Sequence, residues 1–125
     1  MARILLVEDD ECLAETVEMW LASHGHQVIL AFSGTDGLEQ MRFGEFDLII
    51  LDGRLPDMDG ADICREYRED GGKVPVIMVT GNSETAERER GLQAGVNEYI
   101  RKPFELNVVL AKMNALLAVS PKPEA

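Results

Sequence analysis

Positive charge is scarce in this chain. Its 125 residues carry 12 Lys and Arg against 23 Asp and Glu, so 12 − 23 leaves a net charge of −11. A surface that negative repels phosphate backbones, which argues against direct nucleic-acid binding. Cysteine is nearly absent as well: Cys12 and Cys64 stand far apart and make neither a CxxC pair nor a disulfide framework. No apolar run approaches membrane-spanning length, and the run at 4–7 is too short for a secretory leader. A reducing cytoplasm with no membrane contact is the expected setting. The two histidines, His24 and His26, share a helix-to-strand turn remote from the acids, so an exposed turn is expected there rather than a metal site.

What the chain does have is alternation. Short apolar runs at 4–7, 27–32, 46–51, 74–80 and 97–102 read as strands. Helical patterns separate them. Leu13, Val17, Trp20 and Leu21 fall on one helix face that Gly25 closes, and Ser33 can cap a helix over 33–44. Asp59 can cap the next one, residues 83–95 read as a helix poor in apolar residues, and 104–119 reads as the last. The chain is most simply one domain over 1–119, with 120–125 ("SPKPEA") as a tail or the start of a linker. Five strand–helix alternations predict an α/β, doubly wound parallel sheet covered by helices on both faces. In such sheets chemistry collects at the carboxyl ends of the strands, where the winding reverses.

The residues at those ends form a short list. Glu8, Asp9 and Asp10 follow the first strand, Asp52 the third, Thr80 the fourth and Lys102 the fifth. Carboxylates crowded together take up protons or hold a cation, and an all-oxygen set suits a hard ion such as Mg²⁺. A carboxylate beside such an ion, with an ammonium opposite, is equipped to accept a phosphoryl group as an acyl phosphate. Asp52 is then the acceptor and Lys102 the counter-charge.

The motifs "VEDD", "LDGRLPDMDG", "VIMVTG", "GLQAG" and "EYIRKPFEL", in that order, make the chain resemble the receiver domain of two-component response regulators. The resemblance implies a flavodoxin-like sheet of order 2-1-3-4-5. It also implies a switch that takes a phosphoryl group on Asp52 from a histidine kinase, a phosphotransfer protein or a small phosphodonor. Glu8, Asp9, Asp52 and the carbonyl of Arg54 would hold Mg²⁺. Thr80 would supply the switch hydroxyl and Tyr99 the aromatic that turns inward with it. Lys102 would pair with the phosphoryl oxygens, aimed by a cis Lys102–Pro103 bond. The surface around the fourth helix, fifth strand and fifth helix would then engage an effector, with room for a phosphorylation-dependent homodimer. On this reading the chain is no enzyme beyond its own phosphoryl transfer and slow autodephosphorylation.

The resemblance also implies that Arg54 and Asn82 flank the approach of hydrolytic water and tune the phosphoryl lifetime. Two rival classes stay in view. A phosphohydrolase with an aspartyl-phosphate intermediate would need an acid at position 54, where the chain has Arg. A phosphate-independent interaction module would keep the receiver fold alone, without using Glu8, Asp9, Asp52, Thr80 and Lys102.

Overall fold

The computed structural model describes residues 2–81 and 91–119. Asn82, the part of the expected 83–95 helix over 83–90, and the tail 120–125 lie outside them. The chain runs β1 (Arg3–Val7), α1 (Glu11–Ser23), β2 (Gln27–Ala31), α2 (Gly34–Phe43), β3 (Leu48–Asp52), α3 (Gly60–Glu69), β4 (Val76–Thr80), β5 (Glu98–Arg101) and a C-terminal helix (Leu106–Val119). Residues 91–94 are also helical and stop at Gly95, whose φ of +96° suits glycine. All strand pairs are parallel, in the order β2-β1-β3-β4-β5. Among the described residues no helix is long and apolar enough to cross a membrane.

Period-two alternation divides the core between the two sheet faces. Leu5, Val7, Ile49, Leu51, Val76 and Met78 point toward α2 and α3 and meet Leu38, Met41, Ile63 and Cys64. Ile4, Leu6, Leu48, Ile50, Ile77 and Val79 point the other way, toward Ala14, Val17 and Leu21 of α1 and Val109 and Met113 of the C-terminal helix. Both faces are dry, which is why the central strands read as unbroken apolar runs.

Several edges differ from the sequence reading. β3 starts at Leu48, because Phe46 lies under the Arg3 guanidinium at 5.0 Å and Asp47 accepts from the Arg3 amide at 2.8 Å. β4 starts at Val76, because Val74 is held by side chains: its amide donates to the Tyr67 hydroxyl and its carbonyl accepts from Arg68. Ser33 does cap α2, accepting from the Asp36 amide. Asp59 occupies the N-cap of α3 in extended geometry, yet its side chain makes no capping bond. His26 is half-buried rather than exposed, its Nδ1 accepting from the Ala2 amide at 3.1 Å. His24 stays exposed and tilts against Trp20, centroids 4.5 Å apart.

At the end of the sheet remote from the strand tips, Arg68 gathers four oxygens. Its guanidinium donates to the carbonyls of Gly72, Val74 and Gly95 and to the Asn97 amide oxygen, at 2.7–3.2 Å.

Candidate functional site

The sheet winds outward in both directions from β1 and β3, and their register pairs Val7 with Leu51. Glu8 and Asp52 therefore leave adjacent strands side by side. Among the described residues these are the buried charged side chains, at 4% and 7% exposure. An uncompensated charge there would be costly, so partners are required. Lys102 supplies one, its Nζ lying 2.7 Å from Glu8 Oε1 and 3.3 Å from Asp52 Oδ2. The Arg54 amide donates to Asp52 Oδ1 at 3.2 Å, and the Asp10 amide to Glu8 Oε2 at 3.1 Å.

Lys102 is delivered by backbone. Its amide donates to the Thr80 carbonyl at 2.7 Å, one step past the β4–β5 pairing of Thr80 with Arg101, and the Lys102–Pro103 bond is cis. Burial alone would lower the Lys102 pKa, but the bond to Glu8 and the charges of Asp52 and Glu8 outweigh it and leave it raised. The ammonium stays charged. Asp9 is exposed, and one oxygen each from Glu8, Asp9 and Asp52 lie within 4.8 Å of one another. Asp10 caps α1 instead, accepting from the Leu13 amide, so it turns away from the trio.

Three carboxylates against one ammonium leave 3 − 1 = 2 negative charges on one spot. An all-oxygen trio with that deficit, open on the Asp9 side, fits a hard divalent cation. Thr80 is half-buried at the tip of β4, and Tyr99 half-buried on β5. The Arg54 side chain is exposed; its backbone faces the site.

The loop after Asp52 is braced in ways the sequence reading missed. Gly60 lies so close that a Cβ would strike the Asp52 carbonyl and come within 2.9 Å of Gly53 Cα. Asp57 reaches across to α2, where its carboxylate accepts from the amides of Gly34 and Thr35 and from the Thr35 hydroxyl at 2.7–2.9 Å. The only signal was an acid inside the turn "LPDMDG". The Thr35 hydroxyl, then the two amides, hold the Asp57 pKa down to about 2 from 3.8. A depressed acid contributes stability above its unfolded value and loses it as pH falls through the folded one. Asp57→Asn is therefore expected to be less stable than the wild type at neutral pH, with the gap closing between about pH 4 and 2; urea midpoints across that range check it.

A parallel α/β domain with an acidic, lysine-bridged cleft at the switch point of its strands defines the class. Residues 4–114 match the family described as the response regulator receiver domain, and the chain belongs to that family. It is 41% identical over 111 residues to the transcriptional regulatory protein DltR of Streptococcus agalactiae, covering 89% of this chain and 50% of that one. It is 38% identical over 122 residues to the response regulator MprA of Mycobacterium tuberculosis, covering 98% and 53%. The chain thus spans about half the length of these curated relatives.

Among solved structures, the non-phosphorylated HemR receiver domain of Leptospira biflexa superposes with a TM-score of 0.90 at 33% identity, covering 99% of this chain and all of that one. The receiver domain of the sensor histidine kinase PA1611 of Pseudomonas aeruginosa, which has a magnesium ion coordinated in its active-site cleft, gives 0.84 at 35%, covering 94% and 98%.

Proposed function

We propose that this receiver domain is a phosphorylation-dependent switch in which Asp52 is the acceptor. The observation that carries the reading is the Lys102 ammonium shared by Glu8 and Asp52 beside exposed Asp9. A carboxylate oxygen of Asp52 forms the bond to phosphorus while the bond from phosphorus to the donor's leaving atom breaks, giving an acyl phosphate. The donor is a histidine kinase, a phosphotransfer protein or a small acyl phosphate.

Glu8, Asp9, Asp52 and the Arg54 carbonyl are the groups that would hold Mg²⁺. When bound, the ion supplies positive charge against the phosphoryl oxygens. Lys102 supplies the rest and orients the group, and the Thr80 hydroxyl donates to it.

Phosphorylation adds about −1.5 to −2 charges at one point. Taking a two-state domain from mostly off to mostly on requires about 5.5 kcal/mol of differential binding. One charge-assisted hydrogen bond contributes about 1.5–3 kcal/mol, so Lys102, Thr80 and the cation act together. Phosphorylation favours the inward Tyr99 ring alongside Thr80, and the surface of the fifth strand and its flanking helices is read by an effector in the cytoplasm. Glu98 and Lys112 pair with each other on that surface at 3.3 Å.

Incubation with acetyl phosphate and Mg²⁺ tests the proposal by intact mass. A single added phosphoryl group supports it. No uptake under conditions that label a known receiver would favour the phosphate-independent module.

A further inference from the structure

Tyr99 is fixed at its backbone by the β4–β5 ladder, where it pairs with Met78. Its ring packs against the core cluster on the α2–α3 face, which includes Met78, Ala94 and Val96. Gly91, buried and in a helical turn, lies at the far end of that ring. A Cβ on Gly91 would coincide with the Tyr99 hydroxyl and come within 2.6 Å of its Cζ and 3.2 Å of its Cε1. The hydroxyl thus fills the volume that any other residue at position 91 would claim. Glycine is a poor helix former, so its place in a helical turn calls for a local cause. The tyrosine ring supplies one.

We propose that Gly91 is the seat that admits the Tyr99 ring to the inner face of the sheet, and that it thereby sets the balance between the ring's inward and outward rotamers. The inference rests on the reading of Tyr99 as the aromatic that turns inward on phosphorylation. A methyl at position 91 is anchored to backbone and cannot step aside. The Tyr99 Cα is held by its strand, so the ring yields by rotating about χ1 to another staggered well, away from the seat. Gly91→Ala is therefore a receiver biased outward, with every residue of the acidic site intact.

The chain has two tyrosines, which makes ¹⁹F spectroscopy of fluorotyrosine-labelled protein a direct test. Tyr67 is 6% exposed, and its hydroxyl accepts from the Val74 amide, so it serves as internal reference and as a check on folding. In Gly91→Ala the Tyr99 signal is expected to move toward the unfolded-chain position and gain solvent isotope shift, with Tyr67 unmoved. Beryllofluoride with Mg²⁺ should then fail to draw Tyr99 back. A Tyr99 signal unchanged by Gly91→Ala overturns the seat.

A second readout uses stability. Gly91→Ala should raise Tm more in a Tyr99→Leu background, where no hydroxyl fills the seat, than in the wild type; equal shifts overturn the proposal. If Gly91→Ala moves the Tyr99 signal but wild-type Tyr99 keeps its full solvent isotope shift in beryllofluoride, the seat stands and the phosphorylation-driven role of Tyr99 falls.

Discussion

Asp52→Asn is expected to take up no phosphoryl group from acetyl phosphate and Mg²⁺, under conditions that label the wild type once per chain. The effect should be all or none because its neighbours cannot replace it. Asp52 ends β3 with one oxygen held by the Arg54 amide and the other by Lys102, so it is oriented before any donor arrives. Glu8 is tied at both oxygens, to Lys102 and to the Asp10 amide. Asp9 is exposed. An amide at position 52 keeps the shape and removes the proposed nucleophile. Intact-mass spectra of both proteins decide it, and a phosphoryl group on the asparagine variant would move the acceptor elsewhere.

Lys102→Met is expected to destabilise the metal-free protein and to tighten its hold on Mg²⁺. Removing one partner of a buried ion pair costs about 3–5 kcal/mol, and 28% exposure of the lysine side chain reduces that here to about 2–3 kcal/mol. What remains is Glu8 and Asp52 side by side with no ammonium between them. A divalent cation repairs that deficit, and at 100 times its Kd it adds about 2.7 kcal/mol. The variant's deficit should therefore shrink as Mg²⁺ is added. Urea midpoints with and without Mg²⁺, together with calorimetric Mg²⁺ titration, check both halves. Equal Mg²⁺ affinity in the two proteins would mean that the lysine and the cation do not share their carboxylates.

The sign of the pH dependence follows. Because the Lys102 pKa is raised above the ordinary 10.5, its contribution is whole throughout the neutral range and is lost only as pH climbs through the higher folded value.

The strands and the acids were legible in the sequence for one physical reason. A sheet covered on both faces needs unbroken apolar runs, and a carboxylate directly after such a run has nowhere to go except the rim. What stayed hidden depends on side chains reaching across the fold. Phe46 and Val74 continue the apolar runs, yet Arg3, Tyr67 and Arg68 hold them outside the ladder. Asp59 has the residue type and spacing of a cap without the bond, while Asp57, two residues earlier, does the capping for a different helix. Nothing local distinguishes those two aspartates. The closeness of Gly91 to Tyr99 is equally invisible, since it exists only once β5 is paired and the helical turn is laid over it.

Arg68 bears on how far any rearrangement can travel. Its planar fork, matched to oxygens from two separate loops, pins the floor of the domain beneath Gly95 and Asn97. Displacement that begins at the rim is therefore expected to fade toward that rivet, with the turn beyond residue 94 as its fulcrum. Amide exchange at positions 95–97 should accordingly be deaf to beryllofluoride.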